Sequence, residues 1–291
     1  MHKSGARKTL ETFAAADPLV FIMRLLLAVL TLAACLCAQA PNYPAIGIVN
    51  GASWNSSLAP NTIASIFGTQ LSWNTQALGP GNIASGTLPT NLGGVQVLVG
   101  GCPPGEPAPL FYVSPLQINF LVPNNLIPGP ACVAVVRQGM HGPVVPITLN
   151  SAAPALFLTA DGSPVATHLD WSLVTKDAPA LVGEVIVLWG VGLGYVNSGA
   201  GCFDNTGTPD VGPDGELAPG PEPLCDMQDF NVMIGGAAID HSLILYAGLA
   251  PGFAGVYQVN VQMPAQFPAK HGVQLALGSI VSAAGVTLAV Q

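Results

Sequence analysis

Charge is scarce in this sequence. Of its 291 residues 8% are charged, and 7 Lys and Arg stand against 15 Asp and Glu, a net charge of −8. So few basic side chains exclude the phosphate-neutralising clusters that nucleic acids need, and they argue against docking on anionic lipid. Helical periodicity is missing as well: 34 Gly and 27 Pro interrupt nearly every long window, and no stretch sustains an apolar repeat of about 3.6 residues. Also absent are H-E-x-x-H, G-x-S-x-G and C-x-x-C, the frameworks of zinc proteases, serine hydrolases and zinc ribbons. The apolar run Leu25–Leu36 is shorter than the roughly twenty residues a membrane span requires. Apolar material is nevertheless abundant, at 50% of the chain, enough to bury a sizeable core.

The run Leu25–Leu36 follows Arg24 and precedes Ala38-Gln39-Ala40, the order of an export signal: positive flank, short apolar stretch, small-x-small cleavage site. This reading makes residues 1–40 a leader and Pro41 the mature start, with either Met1 or Met23 as the initiator. A competing reading takes Leu32-Ala33-Ala34-Cys35 as a lipobox, in which Cys35 carries a lipid anchor. Both send the chain out of the cytoplasm. Removing the leader takes away Lys3, Arg7, Lys8 and Arg24, and leaves Arg137, Lys176 and Lys270 as the basic residues. Cys102, Cys132, Cys202 and Cys225 also remain. An even count in an oxidising compartment implies two disulfides, although four cysteines allow three pairings. Cys102–Cys132 and Cys202–Cys225 are favoured, because each pair lies within one half of the repeat described next; free buried thiols are the alternative.

Short β-rich runs bounded by Gly, Pro, Asn and Asp fill the chain, which predicts an all-β sandwich. Expected strands are 62–67, 95–99, 116–122, 132–137 and 144–149, then 184–189, 230–234, 242–246, 256–263, 273–277 and 286–290. Two of them expose a duplication. Gln117-Ile118-Asn119 with Pro123 matches Gln258-Val259-Asn260 with Pro264, and Leu110-Phe111-Tyr112 matches Ile244-Leu245-Tyr246. Ser65-Ile66-Phe67-Gly68 likewise matches Val187-Leu188-Trp189-Gly190, and Val97-Leu98-Val99-Gly100-Gly101 matches Val232-Met233-Ile234-Gly235-Gly236. Two copies of one strand order predict two tandem Ig-like modules, 41–150 and 151–291, similar to TIG/IPT-type modules. The larger second copy holds an insert between Cys202 and Asp229.

Longer runs carry a closer resemblance. Val49-Asn50-Gly51-Ala52-Ser53-Trp54, Ala59–Thr69, Leu88–Val95, Pro109–Pro123 and Tyr246–Asn260 together resemble the Solibacter-type C-terminal domain family of exported bacterial proteins. The resemblance covers about residues 45–291. It implies an exported Ig-like double module and no particular activity; the cysteine pairs depart from the family's usual pattern.

Few residues point to chemistry. Gly190-Val191-Gly192-Leu193-Gly194 follows an expected strand, but Tyr195 occupies the third glycine position of a dinucleotide loop and no helix follows. Histidines are scattered singly, and Asp240-His241-Ser242 cannot form a relay if consecutive strand residues point to opposite faces. Asp170 with Glu184, or Asp161 with Asp177, are the carboxylate pairs a glycosidase would use. The insert concentrates seven acids, and Asp210, Asp214 and Glu216 are its calcium candidates, although their spacing is not that of an EF-hand. Otherwise no cofactor is expected. Trp54, Trp73 and Trp171 lie in Asn/Ser/Gly-rich segments, where an aromatic ring can stack on a sugar or anchor a protein; plugging the sandwich ends is the plainer role. The expectation is an exported, non-catalytic Ig-like binder of a surface glycan or protein, with a polysaccharide hydrolase acting in a cleft between modules as the alternative.

Overall fold

The structure, a computed structural model, describes Met23 and residues 39–199, 201–203, 207, 209, 212–268 and 271–291. Two compact units divide the chain, Met1–Gln39 and Ala40–Gln291. Apart from Met23, Gln39 and Ala40, the expected leader, with Cys35, lies outside the described residues, as does Asp210. Among the described residues no helix is long and apolar enough to cross a membrane.

The second unit is all-β and is built as two tandem Ig-like sandwiches. Ten strands fall before residue 150: β1 Ile48–Asn50, β2 Ile63–Phe67, β3 Gln76–Ala77, β4 Val95–Gly100, β5 Glu106–Ala108, β6 Leu110–Val113, β7 Gln117–Leu121, β8 Gly129–Arg137, β9 Met140–His141 and β10 Val145–Leu149. Ten follow: β11 Ala155–Leu156, β12 Ala166–Thr167, β13 Val185–Val191, β14 Glu222–Pro223, β15 Phe230–Ile234, β16 Ala237–Ala238, β17 Ile244–Leu249, β18 Tyr257–Gln262, β19 Val273–Leu277 and β20 Ile280–Val281. The first sandwich stacks β1-β2-β7-β6-β3 on β10-β8-β4-β5. In the second, β13-β18-β17-β14 carries both β11 and β12 on its β13 edge and stacks on β20-β19-β15-β16, in which β20 pairs β19 as β9 pairs β8, and β10 has no counterpart strand among the described residues.

Register repeats along with order. Phe67 pairs with Gln117 in the first module, and Trp189 pairs with Gln258 in the second. A bulge falls between Leu110 and Tyr112 where β6 meets β7, and another between Ile244 and Tyr246 where β17 meets β18. A bulge inserts an unpaired residue and twists the strand locally, so its recurrence at the matching position is a detailed signature of duplication. The edge strands correspond too: Val49 pairs with Ser65 in β2, and Thr167 with Val187 in β13.

Alternation explains why these strands form. Ile118 and Phe120 point into the first core and are fully buried, while Gln117 and Asn119 between them face outward. Val259 and Val261 do the same in the second core. Each fully buried Ile or Phe contributes roughly 2–3 kcal/mol of transfer free energy. Outward-facing Ile63 and Leu121 are covered by second-module residues, joining Ala155, Phe157, Val191 and Ala254 in small clusters between the sandwiches. Asn61 Nδ2 donates to the Tyr257 hydroxyl at 3.1 Å, and the Tyr195 hydroxyl donates to the Leu126 carbonyl at 2.7 Å.

The two disulfides are Cys102–Cys132 and Cys202–Cys225. The expected strand at 286–290 is absent. Val273 donates to Val286, Leu288 to His271, and Ala180 to Ala289, so the segment divides its bonds between two neighbours and never builds a ladder. The segment expected as a strand from Ser242 begins instead as a 3-10 turn, His241–Leu243, capped by Asp240.

Candidate functional site

Two exposed tryptophans occupy equivalent places. Each follows the edge strand of its module, Trp54 after β1 and Trp171 after β12. Each ring rests on an outward aromatic at the matching strand position: Trp54 on Phe67 with centroids 5.7 Å apart, Trp171 on Trp189 at 6.0 Å. The two indoles remain 59% and 71% exposed. Both residues also have a left-handed backbone, φ +60° and +71°. A bulky residue in that region is an outlier that costs on the order of 1–3 kcal/mol and concentrates at functional positions.

Local bonds hold these turns. Buried Asn50 accepts from the Ala52 and Ser53 amides through Oδ1 and donates through Nδ2 to the Ala153 carbonyl at 3.1 Å, while the Trp54 amide donates to the Asn50 carbonyl. In the second module Asp170 Oδ1 accepts from the amide and hydroxyl of Ser172, and the Trp171 amide donates to the His168 carbonyl. The aromatic floor of each shelf adjoins a row of amides. Gln117 Nε2 and Ser65 Oγ both donate to Asn119 Oδ1, at 2.8 and 3.0 Å. Beside Trp189 stand Gln258 and Asn260, and Asn260 Oδ1 is buried without a hydrogen-bond partner.

Trp73 departs from this pattern. It is 37% exposed and lies over the Arg137 guanidinium, whose Cζ is 3.7 Å from the ring centroid, while its Nε1 donates to Gln138 Oε1. Arg137 is wholly buried and Nη1 donates to the Gln70 carbonyl; desolvation lowers its pKa. The ring is therefore committed to covering a charge, which removes it from the set of free aromatic surfaces. Tyr43 is likewise buried, donating to the Pro143 carbonyl and accepting from the Val135 amide. Burial pushes its hydroxyl up to about 12.

The acidic insert serves the joint between modules. Leu88 donates to the Gly215 carbonyl at 3.0 Å and Leu217 donates to the Gly86 carbonyl at 2.8 Å, which ties the insert to the first module. Gly215, at φ +73°, lies so close to Pro109 that an added Cβ would be 2.6 Å from it. Asp214 Oδ1 accepts from the Asn124 amide at 3.1 Å, and Asn124 Nδ2 donates to the Gly212 carbonyl. Burial, with a smaller push from Glu106, raises the Asp214 carboxyl to about 6. Burial also raises Glu222, with Glu216 adding to it. Among the described residues no three His, Cys, Asp or Glu side chains are placed to hold a metal. Asp214 and Glu216 thus belong to a half-buried seam, and Asp210, the third calcium candidate, lies outside the described residues.

Most of the remaining polar candidates are engaged locally; Asp177, the partner expected for Asp161, is exposed and makes no side-chain hydrogen bond among the described residues. His168 Nδ1 lies 2.5 Å from Glu184 Oε1, so this histidine is not isolated as its sequence context suggests. Hydrogen bonding to Glu184 raises the His168 pKa; burial opposes the shift at Glu184, but the Leu181 amide and His168 hold its carboxyl below the usual range. Asp161 Oδ1 accepts from Ser163 and Thr159. Asp240 Oδ1 accepts from Ser242, and His241 Nε2 contacts the Met227 carbonyl instead of joining a relay. Phe67 and Trp189, the floors of the two shelves, are the residues that sequence reasoning missed, although the repeat had already placed them in register.

No protein-family model matches the chain, and no curated protein matches it. Solved structures similar to it include SGBP-B of the Bacteroides ovatus mixed-linkage glucan utilization locus, in complex with a mixed-linkage heptasaccharide, at 9% identity and TM-score 0.31 over 81% of this chain and 43% of that one. SGBP-B from a xyloglucan utilization locus of Bacteroides uniformis is similar at 9% identity and TM-score 0.26, over 86% and 49%. The Escherichia coli adhesin FdeC is similar at 13% identity and TM-score 0.24, over 87% and 66%. The chain thus spans about half the length, or less, of the two SGBP-B structures.

Proposed function

We propose that this chain is an exported, non-catalytic double module that binds carbohydrate on two aromatic shelves, one per sandwich. The observation that carries the reading is the recurrence of an exposed tryptophan, in a strained left-handed turn, over an outward aromatic at matching positions. The face of a pyranose ring is a patch of C–H groups, and an indole supplies the flat apolar surface that such a patch covers. Planar amides beside the ring each offer a donor and an acceptor, which suits adjacent hydroxyls on one sugar. Export is supported by the leader pattern and by two disulfides, which persist in oxidising compartments. The resemblance to the Solibacter-type family points the same way. A binding role is favoured over hydrolysis because Asp161, Asp170 and Glu184 are each committed to neighbouring groups.

Affinity electrophoresis through gels containing soluble neutral polysaccharides tests the reading. Wild-type protein is expected to be retarded by at least one of them. Trp54→Ala and Trp171→Ala should each weaken retardation about tenfold in apparent Kd, as loss of a stacked aromatic anchor does, and the double variant should migrate freely. A folded double variant that is still retarded like wild type overturns the proposal.

A further inference from the structure

The two shelves differ in their surroundings. Beside Trp54 a groove of about 260 Å³ opens between the modules, with Ala52, Ser53 and Trp54 on one side and Leu158, Gly162 and Ala283 among the residues opposite. None of the side chains lining it is titratable. The nearest carboxylate in sequence, Asp161, is held in the Thr159–Ser163 turn next to Gly162, so an anion entering there meets repulsion, with no basic side chain among the described residues that line the groove. Trp54 lines the groove, and its Nε1, unlike the indole nitrogens of Trp73 and Trp189, makes no hydrogen bond among the described residues. The wall is also fixed in advance. Asn50 locks the Trp54 turn and reaches Ala153 just ahead of β11, so the turn and the opposite wall are tied together. Ordering of this kind removes part of the entropic cost of binding.

Resting on the shelf reading above, we infer that the groove is a subsite for a second ring of an uncharged oligosaccharide, continuous with the ring stacked on Trp54. The ligand class is a neutral glycan of at least two residues, taken up across both modules, and uronate-bearing polymers are rejected by charge. A wall of small residues (Ala52, Gly162, Ala283) leaves room for the ring's width, and Leu158 and Trp54 provide its apolar contacts. By this inference the Trp171 shelf binds single rings more weakly.

Titration of Trp171→Ala protein, which isolates the Trp54 shelf, with cellohexaose, xylohexaose, laminarihexaose and a galacturonic acid hexamer tests this, read by tryptophan fluorescence. Ala283 and Ala284 are exposed, so Ala283→Glu and Ala284→Glu report on the groove without disturbing the core. The expected result is that a neutral hexasaccharide binds, the uronate does not, and each Glu variant weakens binding at least about tenfold. If Trp54→Ala abolishes binding while both Glu variants bind normally, or if the uronate binds equally well, the groove inference falls and the shelf reading stands. If no saccharide binds, or if removing Trp54 changes nothing, the shelf reading fails and takes the groove with it.

Discussion

The two sandwiches share strand order, register and even the position of a bulge, yet they differ wherever the chain leaves the sheets. In the first module Val95 pairs with Arg137, a buried cation capped by Trp73; in the second the matching pair is Phe230 with Leu277, wholly apolar. After the strand that bears the shelf floor, the first module places Gln70 in the left-handed region at φ +58°, and the second places Gly192 there at φ +74°. One shelf borders a groove, and the other lies beside the His168–Glu184 pair. A duplicated scaffold therefore fixes where an aromatic shelf stands, and loops and strand ends decide what surrounds it.

The largest expected effect breaks the Gln70–Gly192 equivalence. A Cβ on Gly192 would sit 2.2 Å from the Ala153 carbonyl oxygen, and neither backbone has room to yield. Gly192→Ala should therefore cost about 3 kcal/mol or more, from clash and positive φ together. Gln70→Gly relieves a left-handed side chain and gives up one weak contact with Arg137, so its thermal midpoint should stay within a few degrees of wild type. Equal losses for the two substitutions would show that the matching turns are not under the same constraint.

A smaller effect concerns the insert, which the first module lacks. The Asp214 carboxyl is raised from 3.8 to about 6, so the folded state holds the proton more tightly than the unfolded chain. Stability is then gained as pH falls through about 6 and is lost on return to neutrality, the reverse of an ion-paired aspartate. Between about pH 7 and 5 the gain is on the order of 1–2 kcal/mol, and Glu222, raised in the same direction, adds to it. Asp214→Asn keeps an oxygen for the Asn124 amide and should flatten the pH dependence of the thermal midpoint over this window. An unchanged slope in that variant would remove Asp214 from the seam's titration.

Much of this architecture was legible in the residues. Gln117–Phe120 and Tyr257–Gln262 alternate cleanly because each lies in the middle of a sheet with one face on a core, and their likeness exposed the duplication. Edge strands of two or three residues, such as β3, β12 and β14, are too short to show a period. Stretch 286–290 has strand composition, but its bonds go to two partners, a tertiary fact that composition does not carry. Trp54, Trp73 and Trp171 have similar local contexts; what separates Trp73 is Arg137, brought beneath it only by folding. In sequence the acidic insert offers only calcium candidates, and its docking on Gly86, Leu88 and Asn124 depends on long-range bonds that leave no pattern in sequence.

The finest test makes the shelves alike. The floor is Phe67 in one module and Trp189 in the other, and only Trp189 has an indole nitrogen, which donates to Thr167 Oγ1 at 3.2 Å. That bond fixes the floor of the second shelf, whereas Phe67 is held by packing alone. Trp189→Phe removes the tether and shrinks the stacking surface, so it should weaken binding at the Trp171 shelf by about two- to threefold, the scale of an aromatic pair's contribution beyond burial. Phe67→Trp widens the first floor but brings no equivalent tether, since Val49, which has no side-chain acceptor, stands where Thr167 stands in the second module, and its affinity should change by less than about twofold. Each substitution is measured with the other module's surface tryptophan replaced by alanine, so that one shelf reports at a time. If Trp189→Phe leaves affinity untouched while Trp171→Ala abolishes it, the upper ring acts alone and its floor is only support. A loss in both would make each stacked pair a single binding surface, preserved as a unit through the duplication.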